Sequence, residues 1–158
     1  MKPNLGIGDK DLAAVVKLLE VLLADLHVLY VKTHNFHWNV EGPHFNDLHK
    51  VFDEQYEALG EEIDEVAERI RALGAPVAAS LATFAKGTRL KEHIGPPPVA
   101  PRMVTELLAD HEALVRSLRA DQAAAQDKHG DAGTADFLIG LMESHEKTAW
   151  MLRATAEK

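Results

Sequence analysis

The stretch from Phe45 to Leu73 constrains the chain most, because it carries two stripes rather than one. Apolar residues at 45, 48, 52, 59, 63, 66, 70 and 73 recur at helical spacing, and at roughly 100° per residue they fall on one narrow face. Beside them lie His49, Asp53, Asp64 and Glu68, at about 0°, 40°, 60° and 100° on the same wheel. With His37, five metal-capable side chains fall inside 32 residues.

One helix of this kind cannot close that stripe around an ion. Positions 49 and 64 lie about 22 Å apart along the axis. A second copy packed antiparallel across a two-fold axis removes the difficulty. Position 49 then faces position 68 of the other copy, and 53 faces 64, mirrored about a point between residues 58 and 59. Ala58 and Gly60 flank that point and suit close backbone approach. His37 precedes the intervening turn and reaches the neighbourhood of His49. The spacing predicts a dimer with two equivalent His/carboxylate sites.

Two imidazoles and three carboxylates make a nitrogen/oxygen donor set without sulfur, suited to iron(II), manganese or zinc. Di-iron sites inside a single helix bundle use a Glu-x-x-His spacing on two helices. The one such match here, Glu41 to His44, falls in a turn. That absence again sends the site to a subunit interface.

The rest of the chain reads as helix. One segment starts near Asp9 or Asp11, either able to serve as N-cap, and runs to about Trp38, with Leu12, Val15, Leu19, Leu22, Leu26 and Leu29 at heptad-like spacing. Asn39 to Pro43 turns the chain, Pro43 suits the first helical position of the next helix, and Gly74 ends that helix. A third helix begins after Pro101 and stops at Gly130. A fourth begins at Thr134 as N-cap. About 26 residues separate the second and third, including Pro96-Pro97-Pro98, and a short helix from Ser80 to Lys86 is expected there, with Leu81 and Phe84 packing inward. The expected fold is all-α: one domain over residues 1–158, a four-helix ferritin-like bundle with one long crossover behind a short tail of residues 1–8.

Composition sets the remaining bounds. The absence of cysteine excludes disulfides, thiolate metal sites and cysteine nucleophiles. Lys17, Glu20 and Asp25 interrupt the most apolar helix, which argues against a membrane span. No secretory signal is visible, so a cytoplasmic protein is expected. A net charge of −8 favours cations over nucleic acid as partners.

His37-Trp38, His49-x-x-x-Asp53 and Asp64-x-x-x-Glu68, with Thr134-Ala135-Asp136 and Trp150 near the end, resemble the Dps family, the mini-ferritins known as DNA-binding proteins from starved cells. The resemblance covers nearly the whole chain. It implies a hollow dodecamer built from two-fold dimers, with ferroxidase centres at the dimer interfaces and iron(III) mineral stored inside. By it, His37, His49 and Asp53 come from one subunit and Asp64 and Glu68 from the other, with Trp38 beside the site or in the interface core. The implied activity is that of a ferroxidase, an oxidoreductase acting on metal ions, with iron(II) and hydrogen peroxide or oxygen as substrates and zinc or manganese as competitors.

The resemblance also places acidic residues at a three-fold pore, where Asp127 and Asp136 match and Asp131 is a weaker neighbour. Glu54, Glu57 and Glu61 are candidates to nucleate mineral, while Lys50 departs from the acidic residue often found after the second histidine. DNA binding by the family commonly uses lysine-rich tails. This chain offers Lys2 and Lys10 before the first helix and Lys158 at the end, so strong DNA binding is not favoured. The alternative is a DNA-protecting, nucleoid-associated shell whose metal sites are structural rather than catalytic.

Overall fold

The computed structural model describes residues 3–156, among which every regular element is helical. Lys2 and Lys158, two of the three tail lysines, lie outside the described residues. The elements are α1 (Asp9–Asn39), α2 (Phe45–Ala72), α3 (Leu81–Gly87), α4 (Ala100–Ala123) and α5 (Ala132–Ala156), with a π-helical turn at Ala124–Lys128. None of the described helices is long and apolar enough to cross a membrane.

α1 is the centre of the bundle. Its buried residues run from Leu12 to His37 and lie on several faces of the helix, because α2, α3 and α4 all pack against it. The helix is capped by the backbone of Gly8, whose carbonyl accepts from the N–H groups of Asp11 and Leu12. Asp9 and Asp11, expected as caps, instead occupy the first turn, where carboxylates favour the positive end of the helix dipole. Lys10 lies within that turn too, not before the helix.

The turn into α2 is tight. Val40 N–H donates to Phe36 O, Gly42 takes a φ of 108°, and Phe45 N–H donates to Gly42 O. Only glycine adopts that φ without strain. Pro43 precedes the cap residue His44 rather than opening the helix. At the far end Gly74 N–H donates to Arg71 O and Ala75 N–H to Ile70 O, the paired bonds of a Schellman ending. Gly74 has a φ of 93°, and a Cβ there would sit 2.7 Å from Pro3. Both constraints require glycine.

The crossover carries the expected short helix, capped by Ser80 Oγ accepting from Thr83 N–H. Phe84 is buried and stacks on His27 at 3.7 Å. Leu81, expected to pack, is 79% exposed; a helix of seven residues buries one face only. Behind it Asp25, fully buried on α1, accepts from Thr88 Oγ1, Arg89 N–H and Arg89 Nε, while Arg89 Nη1 reaches Asp121 at 2.9 Å. This triad staples the crossover to α1 and α4. Lys32 likewise ties α1 to α4 through Asp110 at 2.6 Å.

α4 ends earlier than the expected stop at Gly130. After Ala123 the backbone widens into the π turn, closed by His129 N–H donating to Ala124 O. α5 begins at Ala132, not at Thr134. Its cap is Asp131, whose Oδ1 accepts from Thr134 N–H and whose Oδ2 accepts from Thr134 Oγ1. Arg69 on α2 binds both Asp131 and Thr134, so the start of α5 is held against the end of α2.

Candidate metal centre

The turn that ends α1 brings the two histidines of the sequence motif into stacking contact. The rings of His37 and His49 lie 3.8 Å apart and 20° from parallel. Each imidazole Nδ1 donates 2.9 Å to the main-chain carbonyl of the other residue. A carbonyl only accepts, so both Nδ1 atoms carry the proton and a neutral ring keeps a bare lone pair at Nε2. His37 O is free to accept because it lies in the last turn of α1, where carbonyls lack helical partners. Outer hydrogen bonds of this kind hold metal-ligating histidines in one tautomer and orientation.

Asp53, one turn after His49, places Oδ1 3.8 Å from His37 Nε2. The same oxygen accepts a short hydrogen bond from Tyr56. That bond, with burial and the Asp53 charge behind it, pushes the Tyr56 phenol up to about 12, so Tyr56 stays a donor and orients the carboxylate. Tyr56 belongs to no metal-ligand motif, and its place three residues beyond Asp53 on one helix face is the signal in the sequence for this contact. His34 does not join this group of candidate side chains. Its ring lies between Trp38, stacked at 4.8 Å, and Tyr56 at 3.8 Å, and burial, with His37 adding and Asp53 opposing, pushes its pKa down.

Asp64 and Glu68 lie farther along α2, both exposed and without a hydrogen bond or ion pair among the described residues. From Asp53 to Asp64 the helix rises about 16 Å. The structure therefore brings His37, His49 and Asp53 together in one chain and leaves Asp64 and Glu68 apart. Among the described residues no three His, Asp or Glu side chains converge as a metal site. Trp38 is 70% exposed beside the histidines, and Val31 and Phe45 are also exposed. Gly60 faces inward, its Cβ position 3.7 Å from Tyr30 on α1, so it serves packing within the chain.

A family model described as ferritin-like domain matches residues 16–158. A DNA protection during starvation protein of Brevibacillus brevis is 40% identical over 143 residues, covering 90% of this chain and 95% of that protein. An uncharacterized low temperature-induced protein of Nostoc sp. is 47% identical, covering 98% and 86%. The crystal structure of a Dps protein from Bacillus brevis superposes with a TM-score of 0.89 at 37% identity, over 96% of this chain and all of that one.

The chain belongs to the Dps family.

A Vibrio cholerae Dps described as one of the ferritin-like diiron-carboxylate proteins superposes at a TM-score of 0.91 with 30% identity, covering 99% of this chain and 98% of that one. In the present Dps chain the three acidic pore candidates separate. Asp127 and Asp136 are exposed. Asp131 is 2% exposed and its carboxylate is occupied by Thr134 and Arg69, so it caps α5 rather than forming acidic surface. Glu54, Glu57 and Glu61 are exposed, as is Lys50.

Proposed function

We propose that this Dps protein is an iron-oxidising and iron-storing cage, with ferroxidase centres shared between two-fold related subunits. The observation that carries the reading is the His37/His49 pair, whose Nδ1 atoms are both engaged so that the two Nε2 lone pairs stay open, with that of His37 3.8 Å from Asp53 Oδ1. Asp64 and Glu68 of a second copy, mirrored about the middle of α2, complete the donor set. Family resemblance extends this to a dodecamer in the cytoplasm that takes iron(II) and peroxide, or oxygen, as substrates. Two irons supply the two electrons that peroxide needs, so the O–O bond breaks without releasing a hydroxyl radical. Carboxylates favour the iron(III) product. Asp127 and Asp136 serve as iron inlet, and zinc or manganese compete for the nitrogen/oxygen site. Trp38, stacked on His34, lies where it would be covered by the second copy and beside the oxidation.

Gel filtration separates a cage from a dimer. Adding iron(II) and then peroxide anaerobically, and following ferric absorbance, tests the chemistry. A His37→Ala/Asp64→Ala variant that oxidises iron as fast as the parent ends the ferroxidase reading. The second reading, a DNA-protecting shell with structural metal, is favoured by the names its relatives carry. A gel-shift titration at low and physiological salt decides it, and the charge of −8 leads us to expect weak, salt-sensitive retention.

A further inference from the structure

The interior of the bundle holds a second group of ionisable side chains that the interface centre does not use. Glu62 on α2, His111 on α4 and His145 on α5 are 9%, 2% and 2% exposed. They form a chain across three helices: His111 Nδ1 lies 2.7 Å from His145 Nδ1, and His145 Nε2 lies 3.0 Å from Glu62 Oε2. Ser144 Oγ donates to the other Glu62 oxygen at 2.9 Å.

Four buried side-chain polar atoms among the described residues lack a hydrogen-bond partner: Gln55 Oε1, Glu62 Oε2, His111 Nε2 and His145 Nε2. All four residues line one cavity of about 200 Å³ between α2, α4 and α5, with the exposed Glu54 and Lys147 also along it. Orphaned polar atoms are rare in native interiors, and their convergence on one space points to a shared ligand. The His145 and Glu62 atoms add a geometric sign. They are 3.0 Å apart yet not aligned as a hydrogen bond, the relation expected of two atoms aimed at a common third point. Two donors at about 2.0–2.2 Å from one ion sit roughly 3 Å from each other.

We propose that each subunit binds one divalent transition-metal ion of the zinc or iron(II) class inside its own bundle, held by His145 Nε2 and Glu62 Oε2. Gln55 Oε1 is the third protein donor on the cavity. No three His, Asp or Glu side chains converge among the described residues, so water completes the shell. His111 is a positioning residue. Its Nδ1 accepts from His145 Nδ1–H, the outer bond that holds a ligating imidazole in place. Imidazole with carboxylate favours this class of ion over calcium or magnesium, which require more oxygen ligands. The site is independent of the interface centre, since its residues come from one chain.

Zinc-edge anomalous diffraction from zinc-soaked crystals of the assembled wild-type protein tests this directly. The expected result is a peak within bonding distance of His145 Nε2 and Glu62 Oε2. Water alone in the cavity overturns the proposal. In solution, cobalt(II) is titrated into a His37→Ala/His49→Ala/Asp64→Ala assembly. One ion per subunit with visible d–d absorption is expected, weakened at least tenfold by adding Glu62→Gln. No binding in the first variant, or undiminished binding in the second, overturns it. An anomalous peak at the subunit interface alone sinks this site and leaves the ferroxidase reading standing; a peak in the bundle alone does the reverse.

Discussion

His37 and His49 each donate a ring N–H to the main-chain carbonyl of the other, across the turn that joins α1 to α2. Each residue fixes the tautomer of its neighbour, and the two Nε2 lone pairs are presented before any ion arrives. In the proposed centre the pair supplies one half, since Asp64 and Glu68 lie farther along α2 and away from it.

A shared centre is open to complementation. Assemblies of His37→Ala alone and of Asp64→Ala alone are expected to lose most peroxide-dependent iron oxidation. In a heterodimer of the two, one site carries both defects and the other carries none, as two-fold symmetry requires. Unfolding and co-refolding equal amounts should therefore restore about one quarter of the parental rate, since random pairing makes half the dimers mixed. A mixture as inactive as its components would place both ligands in one subunit.

The acidic residues near α5 separate by environment: Asp131 is buried as a cap, while Asp127 and Asp136 are exposed. Asp131→Ala removes the helix cap and the Arg69 partner, and is expected to cost about 1–2 kcal/mol in chemical denaturation. Asp136→Asn touches exposed surface and should leave stability within about 0.5 kcal/mol. If Asp127 and Asp136 line the inlet, the double Asn variant slows iron uptake severalfold under steering-sensitive low salt. Equal uptake rates at 20 mM and 200 mM salt, estimates bracketing a roughly threefold change in Debye length, would remove the inlet role.

Arg89 carries the crossover. Its replacement by Ala leaves Asp25, which is fully buried, without its guanidinium partner and frees Asp121 as well. Breaking a buried pair from one side costs about 3–5 kcal/mol; the remaining Thr88 and backbone donors to Asp25 put the expectation at the lower end. Arg89→Lys should recover only part of it, because a lysine lacks the planar fork that serves two carboxylates at once. Calorimetry on both variants decides.

The Glu106 carboxyl lies below its usual value of 4.5: burial alone raises it, and hydrogen bonds from Arg102 and His93 more than reverse that. A depressed folded-state value means the unfolded chain takes up the proton first as pH falls. The contribution of Glu106 is thus complete above pH 4.5 and disappears below it. Glu106→Gln is expected to lower stability by at most about 1 kcal/mol at neutral pH, with the gap to the parent closing in thermal melts as the pH falls below 4.5. A gap that widens in acid would show the assignment of sign to be wrong.

The residues explain which parts could be read early. Helical period, the glycine at 74 and the length between the second and third long helices were enough for the all-α bundle, because burial on one face and backbone sterics act locally. The caps were misplaced for the opposite reason. Thr134 and Asp131 compete for the same helix start; Asp131 takes it by accepting from Thr134 N–H, and Arg69, distant in sequence, holds both side chains in place. His111 and His145 each lie on their helix's apolar stripe, beside Leu107, Leu114, Leu141 and Ala149, but the spacing within one helix does not show that the two rings meet.

By itself the chain of residues determined which side chains share a helix face and that no single helix can gather all five candidate ligands, since 1.5 Å of rise per residue fixes those separations. Only the tertiary structure decided that His37 and His49 lock one another's tautomers, that Tyr56 holds Asp53, and that Glu62, His111 and His145 meet inside the bundle. Those meetings depend on turn geometry and on how three helices pack, neither of which a linear spacing records.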